Sequence, residues 1–276
     1  MALFLTPEEM FDLPLDGKPN VDREGNLDNS RITHWFGNLA YVLVGVVFKI
    51  AFRYSIKNRE IIRQFKAKSG CIIIANHESY LDAAFMFLAP RPSQWTRLMA
   101  RDNLFDKKNK PLDQIFARVG AFPVSRDSAD RTTIKRAVKM VKRGEIVGIM
   151  PEGTRRGKGT AKLSLHSGFT LIAKMANDAP IVPCALKNVG KIKRKGERLR
   201  FPKVEIEFGK PLYLSDFDDF EKKERLQACA WYAMREVFAM RDDIEPNEVD
   251  MLSLFPGSVD YKDYFLNNPR KLRDKN

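Results

Sequence analysis

From residue 71 onward, short apolar runs alternate with segments of helical periodicity, and this order restricts the fold more than any other feature of the chain. The predicted strands are 71–75, 95–100, 119–124, 145–150, 180–186 and 202–208, and the predicted helices are 80–88, 111–117, 128–142, 162–177 and 217–241. Because strands separated by helices pair side by side, the pattern predicts an α/β fold with a mixed, largely parallel sheet flanked by helices.

The rest of the chain is assigned around this region. The chain has 276 residues, which is enough for one large domain or two small ones. We expect an extended polar arm at 1–30, an apolar helix within 31–60, the main α/β domain at 61–215, and a C-terminal helix and tail packed on that domain at 216–276. The tail after residue 245 contains aromatic residues without a clear period, so the sequence assigns it no role.

Residues 35–52 form the most apolar segment of the chain. They read WFGNLAYVLVGVVFKIAF, with Lys49 as the one charge, and basic residues flank them at Arg31, Arg53, Lys57 and Arg59. Because a bilayer span needs about 20 apolar residues, three structures compete: an interfacial helix, a short spanning helix and a buried core helix. Trp35, Tyr41 and the flanking charges favour a helix that lies in a membrane interface. We therefore expect a monotopic membrane protein.

The chain is strongly basic. Its 48 Lys and Arg residues against 35 Asp and Glu give a formal charge of +13 at pH 7 and a pI near 9.6. This excess predicts contact with phosphate, an anionic membrane surface, an acidic partner protein or nucleic acid. The basic loop at 190–200 suits an anionic leaflet, an acidic acyl carrier protein or the phosphates of coenzyme A, although a solvated loop has the same composition. Nucleic acid is the weakest of these partners, because the basic residues are not interleaved with aromatic residues in a recognised module.

Three cysteines bear on the compartment. Cys71, Cys184 and Cys229 lie far apart in sequence without metal-type spacing, and the first two lie in apolar strand-like runs. This pattern predicts reduced, buried thiols and a location on the cytoplasmic face of the membrane. It also predicts no metal site.

Residues 76–82, NHESYLD, follow the strand 71–75 and precede the apolar body of a helix. His77 and Asp82 therefore lie at the carboxyl end of a strand, where open α/β sheets bind ligands. A neutral imidazole held by a carboxylate can take a proton from a hydroxyl group. The alternative is a capping box formed by Ser79 and Asp82. On a regular helix His77 and Asp82 would lie about 140° apart, so they meet only if His77 precedes the helix.

Three further segments are candidates for the site. Residues 150–156, MPEGTRR, combine a glutamate, a glycine and two arginines, which is typical of an anion clamp, although a solvated basic turn has the same composition. Residues 120–126 end at Arg126, which either reaches the same crevice or stays on the surface. Val182 and Pro183 lie in an apolar strand with no chemistry of its own. No Gly-x-Ser-x-Gly elbow is present, which argues against a serine hydrolase.

These four segments, in this order, resemble the four sequence blocks of the glycerophospholipid acyltransferase family over residues 70–190. The resemblance implies that His77, in a His-x4-Asp motif with Asp82, is the general base. It also implies a phosphate-binding site and an acyl-site wall, the first formed by Arg126, Glu152, Gly153, Thr154 and Arg155 and the second by Val182 and Pro183. The chain departs from the family where Arg156 replaces a frequent serine, and where Leu165-His166-Ser167-Gly168 replaces a common Phe-Lys-x-Gly pattern.

The family includes lysophosphatidic acid and glycerol-3-phosphate acyltransferases. The resemblance therefore implies transfer of a fatty acyl chain from acyl-coenzyme A or acyl carrier protein to lysophosphatidate, with glycerol 3-phosphate or another lysophospholipid as the alternative acceptor. No bound cofactor is expected, because a thioester already carries a good leaving group. From other classes, a basic nucleic-acid-binding protein would leave residues 35–52 unexplained. An inactive lipid-binding scaffold would leave the intact set of His77, Asp82, Glu152 and Arg155 unexplained.

Overall fold

A computed structural model of the chain describes residues 5–15, 20–21, 27–28, 31–32, 34–65, 69–91, 94–105, 111–124, 131–156, 163–192, 197–270 and 272. Its helices are α1 Pro7–Met10, α2 His34–Phe52, α3 Glu60–Arg63, α4 Asp82–Leu88, α5 Leu112–Arg118, α6 Arg131–Lys142, α7 Gly168–Met175, α8 Glu224–Asp242, α9 Met251–Leu254 and α10 Lys262–Asn267. Its strands are β1 Asn20–Val21, β2 Leu27–Asp28, β3 Ser55–Lys57, β4 Cys71–Ala75, β5 Thr96–Arg101, β6 Phe122–Val124, β7 Ile146–Ile149, β8 Ile181–Lys187 and β9 Glu205–Phe208.

Seven strands form the central sheet in the order β3-β9-β8-β4-β7-β5-β6. Every neighbouring pair is parallel except β8 and β9, which are antiparallel. The predicted α/β fold with a mixed, largely parallel sheet is therefore confirmed. Strand β4 lies at the centre, with Ile72 opposite Val147 on one side and Ile181 on the other. Because helices cover both faces, β4 and β8 are buried along their whole length, and both are apolar up to Lys187 at the end of β8.

Alternate residues of β4 pack into the two hydrophobic layers. Ile72 and Ile74 belong to the layer built with α6, α7 and α8, whereas Cys71, Ile73 and Ala75 face the layer built with α2, α3 and α4. This alternation follows from the two-residue period of a strand. The carboxyl ends of β4, β5, β7 and β8 therefore meet at one edge of the sheet, between two helical layers.

Proline 183 lies inside a central strand, although it cannot donate a ladder hydrogen bond. The antiparallel pairing of β8 with β9 begins one residue later, at Cys184 opposite Phe208. The Pro183 carbonyl still accepts a hydrogen bond from the Gly209 amide at 2.8 Å. The sheet therefore accommodates the proline where its neighbour strand has just ended.

Helix α2 confirms the predicted apolar helix, and its burial excludes a core helix. Gly37 and Phe52 are its buried residues, and Gly37 lies directly against the Trp95 ring. The helix is long and apolar enough to cross a membrane. Only 17% of its most apolar window is buried inside the protein. A stripe of large apolar side chains faces outward along its length, formed by Trp35, Leu39, Val42, Leu43, Val46, Val47 and Ile50.

The N-terminal residues that the structure describes differ from the extended arm predicted there. Residues 5–15 contain α1, and Met10 and Phe11 are buried in the main core. The buried Arg97 guanidinium donates to the carbonyls of Phe11 at 2.8 Å and Leu13 at 3.0 Å, which ties this segment to β5. The polar composition of this segment did not predict these contacts, because only two apolar side chains and two backbone carbonyls form them.

The C-terminal residues pack on the same core. Trp231 of α8 stacks on Phe265 of α10, with ring centroids 5.6 Å apart. Phe255, which follows α9, is also buried in the layer that covers Ile72 and Ile74. The aromatic residues of the tail are therefore core residues, although no helical or strand period predicted their burial.

Candidate active site

The loop after β4 is fixed at its first residue by a side chain that imitates strand pairing. Asn76 is fully buried, and its Oδ1 accepts the Leu186 amide at 2.8 Å while its Nδ2 donates to the Leu186 carbonyl at 3.1 Å. The side-chain amide of Asn76 thus satisfies both the N–H and the C=O of Leu186. The chain can therefore leave the sheet at residue 76 without leaving these backbone groups of β8 unpaired. His77 therefore starts from a rigid position at the sheet edge.

His77 and Asp82 are in contact, and they meet in the one way that the sequence allowed, with His77 before the helix. Helix α4 begins at Asp82, so His77 lies in the preceding loop, and its Nδ1 is 2.9 Å from Asp82 Oδ2. The same oxygen accepts the amides of Glu78 at 2.7 Å and Ser79 at 2.8 Å. Asp82 is fully buried, whereas the His77 side chain is 21% exposed. Because a carboxylate accepts, Nδ1 carries the proton and Nε2 presents its lone pair.

The capping alternative is present in part. The Ser79 amide donates to Asp82, as in a capping box, but the Ser79 hydroxyl accepts from Leu81 at 3.2 Å and not from the Asp82 amide. One carboxylate therefore both starts the helix and orients the histidine. The two interpretations of the motif are compatible in this structure.

The loop after β7 holds the backbone of His77 from the neighbouring strand. Glu152 Oε1 accepts the His77 amide, and the Arg156 amide donates to the His77 carbonyl, both at 2.8 Å. Glu152 Oε2 forms an ion pair with Arg156 Nε at 2.6 Å. Burial raises the pKa of Glu152 to about 7, against the opposing effects of the Arg156 charge and the His77 amide. The Glu152 carboxylate thus faces the His77 backbone and Arg156, where the sequence predicted a phosphate ligand.

Cationic side chains surround the next residues of this loop. The Arg155 guanidinium lies 3.2 Å from the centroid of the Tyr80 ring, which is 79% exposed. Arg101, the last residue of β5, donates to the Gly153 carbonyl at 3.2 Å. Gly153 has φ of +61° and lies against the His166 ring, so a side chain there would be strained and crowded. Two guanidinium groups are therefore held beside the loop that carries Glu152.

The remaining predicted residues are distributed as follows. Thr154 is half-buried in the same loop as Gly153 and Arg155, and Val182 and Pro183 are buried within β8. Arg126 lies outside the described residues. The structure thus brings His77, Asp82 and Glu152 into direct contact, and the phosphate and acyl roles stay predictions.

Sequence reasoning did not assign the roles that three residues take in this site. Arg101 directly follows the predicted strand 95–100 and so carried a positional signal, since the carboxyl ends of parallel strands share an edge. Asn76 and Arg156 act through contacts with Leu186 and with the C-terminal helices, which lie far away in sequence. Such long-range contacts leave no local pattern.

Comparisons with known proteins agree with this geometry. The family model described as Acyltransferase matches residues 53–187. A 1-acyl-sn-glycerol-3-phosphate acyltransferase of Bacillus subtilis (strain 168) is 33% identical over 186 residues, which cover 67% of this chain and 86% of that relative. A Streptococcus pneumoniae (strain ATCC BAA-255 / R6) protein of the same name is 31% identical over 146 residues, covering 52% of this chain and 51% of the relative.

The fold comparison is consistent with the sequence matches. The crystal structure of the 1-acyl-sn-glycerophosphate (LPA) acyltransferase PlsC from Thermotoga maritima superposes with a TM-score of 0.55 at 18% identity, covering 76% of this chain and 82% of that one. The match to the Bacillus subtilis relative, at 33% identity over 86% of its length, identifies the family. The chain belongs to the 1-acyl-sn-glycerol-3-phosphate acyltransferase family and is an acyltransferase.

Proposed function

We propose that the chain transfers a fatty acyl group from an acyl thioester to the free hydroxyl of lysophosphatidate, giving phosphatidate, with His77 as the general base. One observation carries the choice of base: His77 Nδ1 is 2.9 Å from the fully buried Asp82 carboxylate. Among the described residues, no protein group bonds His77 Nε2. The relatives' names supply lysophosphatidate as the acceptor.

The reaction follows from this geometry. Nε2 takes the proton of the acceptor hydroxyl as its oxygen attacks the thioester carbonyl, and the resulting imidazolium is stabilised by Asp82. When the tetrahedral intermediate collapses, the carbon–sulfur bond breaks and Nε2 returns the proton to the leaving thiolate. The thiolate is a good leaving group, so the mechanism needs no acyl-enzyme intermediate.

The acceptor phosphate is placed by the cationic groups of the site. Arg155 and Arg101 lie at the loop after β7, and Arg126 joins them in the proposal on the strength of the family resemblance. Guanidinium groups suit phosphate because they bind it in bidentate fashion. Glu152 takes a different part in this proposal: its buried carboxylate holds the His77 amide and would repel a phosphate. Glycerol 3-phosphate and other lysophospholipids share the phosphate and the hydroxyl, so they remain the alternative acceptors.

The proposed site of action is an anionic membrane surface on the cytoplasmic face, with α2 lying in the interface. One side of α2 packs on the protein through Tyr41, Val44 and Phe48, so lipid cannot surround the helix as it surrounds a lone span. The opposite side exposes the apolar stripe described above, from Trp35 to Ile50. This division between a packed and an exposed side favours a lying helix over a spanning one.

A second surface segment adjoins the end of α2. Arg53 donates to the Phe201 carbonyl at 2.9 Å, and the Phe52 and Phe201 rings lie 5.6 Å apart. Leu199 and Phe201 are half exposed and alternate with exposed basic residues, Arg198, Arg200 and Lys203. Apolar tips among basic residues suit a leaflet with anionic headgroups, where each charge contributes about 1 kcal/mol.

The decisive experiment measures free-thiol release from acyl-coenzyme A or an acyl-carrier thioester in detergent micelles, with and without lysophosphatidate. Because general-base assistance supplies roughly 10²–10⁴-fold, His77→Ala should lose acceptor-dependent release by that factor. His166→Ala, which removes another imidazole beside the loop after β7, should retain most of the activity.

Each other outcome has a definite meaning. Release without acceptor identifies a thioesterase. Release only with glycerol 3-phosphate or another lysophospholipid changes the acceptor and keeps the reaction. Activity of His77→Ala near that of the wild type removes His77 as the base.

A further inference from the structure

Arg156 connects the loop around His77 to the C-terminal helices. Its backbone amide donates to the His77 carbonyl at 2.8 Å, and its side-chain Nε lies 2.6 Å from Glu152 Oε2. The guanidinium lies against the rings of both Phe238 and Phe255, with its central carbon 4.7 and 4.9 Å from their centroids. One end of this residue therefore contacts the proposed base, and the other end lies in the core under α8 and α9.

The anchor at the C-terminal side is specific. Arg156 Nη1 donates to the Leu254 carbonyl at 3.3 Å, at the end of α9. Phe238 and Phe255 are almost fully buried, and their rings also contact each other with centroids 5.8 Å apart. Two aromatic faces and a carbonyl leave the guanidinium little freedom, because a cation is attracted to the ring faces and a carbonyl accepts its N–H.

A second ion pair joins the same two parts of the molecule. Glu78, the residue after His77, pairs with Arg241 of α8 at 2.9 Å. The Arg241 guanidinium also covers the Phe238 ring at 4.5 Å. The C-terminal helices therefore hold the loop from 76 to 82 at two points. Arg241 pairs with Glu78, and Arg156 donates to the His77 carbonyl.

We propose that Arg156 is a positioning residue for His77, and that the C-terminal segment holds Arg156 in place through Leu254, Phe238 and Phe255. This inference rests on the acyl transfer proposed above. It gives the C-terminal tail a role that its sequence did not reveal. It also explains the arginine at a position where the family often has serine: serine could donate the same backbone amide, but it could not reach Glu152 and the C-terminal helices.

The charges around Glu152 give this role a measurable signature. The groups that face its carboxylate are Arg156 on its own loop, His77 and Glu78 on the loop after β4, and Arg241 on α8. Burial raises the pKa of Glu152 to about 7, and the positive charge of Arg156 opposes that rise. A protonated Glu152 is neutral and accepts the His77 amide more weakly. Activity that depends on this hydrogen bond should therefore decline as the pH falls through the pKa of Glu152, in addition to the loss that any general base shows once it is protonated.

The test compares the pH dependence of kcat, measured as acceptor-dependent thiol release at saturating substrates. Arg156→Ser removes the charge that opposes burial, so the pKa of Glu152 rises and the acid limb of kcat moves to higher pH, by about one unit. At pH 7, where the wild-type Glu152 is about half ionised, this shift corresponds to a loss of roughly fivefold in kcat, and the loss approaches about tenfold at lower pH. The KM of the acceptor should change little, because the Arg156 guanidinium contacts Glu152 and the C-terminal segment, whereas the Arg155 guanidinium lies against the Tyr80 ring. Arg156→Lys keeps a positive charge, so the acid limb of its kcat should lie close to that of the wild type.

Two phenylalanines of the C-terminal segment provide a matched pair. Phe255→Leu removes a ring that contacts Arg156, whereas Phe265→Leu removes an equally buried ring that contacts Trp231 and Tyr232 instead. Both variants should lose similar thermal stability. Phe255→Leu should shift the acid limb in the same direction as Arg156→Ser, and Phe265→Leu should leave it in place. Equal shifts in both variants would make the effect a general loss of packing and would overturn the proposal.

A readout without turnover separates this inference from the proposed function. The chain has three histidines, so the ring signals of His77 can be assigned by NMR from single substitutions of the other two. Arg156→Ser and Phe255→Leu should change the chemical shifts of the His77 ring, and Phe265→Leu should not. An unchanged His77 signal in Arg156→Ser overturns the positioning role whatever the activity. An inactive wild type with these same NMR changes removes the proposed function and leaves the positioning role intact.

Discussion

At the scale of single residues, one oxygen of the Asp82 carboxylate both orients the His77 ring and caps the start of α4. Oδ2 receives the His77 ring and the amides of Glu78 and Ser79, all within 2.9 Å. The two amides fix the carboxylate, and the fixed carboxylate fixes the tautomer of the ring. Burial strengthens each of these bonds, since the surroundings screen charge less than water does. The sequence could not separate capping from catalysis, because both use the same contacts.

Asp82→Asn and Ser79→Ala can separate them. An asparagine can still cap the helix through its oxygen, but its neutral amide also offers N–H groups to Nδ1 and so favours the wrong tautomer. We expect kcat to fall roughly 10²–10⁴-fold in Asp82→Asn. Ser79→Ala removes the hydroxyl that accepts from Leu81, so it should lose about 1 kcal/mol of unfolding free energy and keep its activity.

The measurements are thiol release and denaturant unfolding on the same two proteins. If both variants lost activity in proportion to stability, Asp82 would be a cap and nothing more. A large loss of kcat in Asp82→Asn at small cost in stability assigns the orienting role.

At the scale of elements, the buried strands were predicted best. β4, β7 and β8 lie within one residue of the predicted bounds, because β-branched apolar runs between turns have no competing structure. The strand predicted at 119–124 is shorter, since Gly120 has φ of +93° and belongs to the turn after α5. The helix predicted at 162–177 starts at Gly168, and the one predicted at 217–241 starts at Glu224.

Strand β3 was missed because it has three residues and no period of its own. Ser55, Ile56 and Lys57 pair with Glu205, Ile206 and Glu207 of β9, about 150 residues away. Only the packing of the whole sheet specifies such a strand. The same reason hid the contacts of α2, whose packed side depends on residues of α4 and β5.

Two glycines of α2 test how closely that helix packs. A Cβ at Gly37 would overlap the Trp95 ring, whereas a Cβ at Gly45 would meet Leu88 at 3.6 Å, an ordinary contact. Alanine favours a helix over glycine by about 1 kcal/mol, so Gly45→Ala should raise the unfolding free energy by up to that amount. Gly37→Ala should lower it by roughly 1–3 kcal/mol, because the ring must move.

Chemical unfolding followed by tryptophan fluorescence measures both changes. The pair shares one helix and one chemical substitution, so propensity alone predicts the same sign for both. Stabilisation by Gly37→Ala would contradict the packing of α2 on Trp95.

At the scale of the whole molecule, the site is assembled from three parts of the chain. The loops 76–82 and 150–156 adjoin because β4 and β7 are neighbours. The sequence predicted that both loops lie at the carboxyl ends of strands, but not that these two strands pair. The third part, α8 and α9, reaches the site through Arg156 and Arg241. It could not be predicted, because an arginine beside two aromatic rings is a product of tertiary packing. The His77 site and the exposed apolar stripe of α2 likewise lie on different parts of one molecule. Helix α2 connects them, because its other side packs in the layer that covers β4.

The proposed membrane association makes a prediction about the orientation of α2. Leu39, Val46 and Ile50 lie on its exposed stripe, so a lying helix places all three at one shallow depth. A spanning helix would separate Leu39 and Ile50 by about 16 Å along the bilayer normal, since each residue rises 1.5 Å. Replacing each residue with cysteine allows selective labelling, because Cys71, Cys184 and Cys229 are fully buried.

Fluorescence quenching by doxyl lipids in phosphatidylglycerol-containing vesicles measures the depth of each label. We expect equal, shallow depths at the three positions on α2. A label at Met175→Cys should remain in water, because α7 lies on the opposite face of the sheet and Met175 is 41% exposed. A steady increase in depth from one end of α2 to its middle would instead establish a span. Labels that all remain in water would remove the membrane surface from the proposed function, and the apolar stripe would then require a protein partner to cover it.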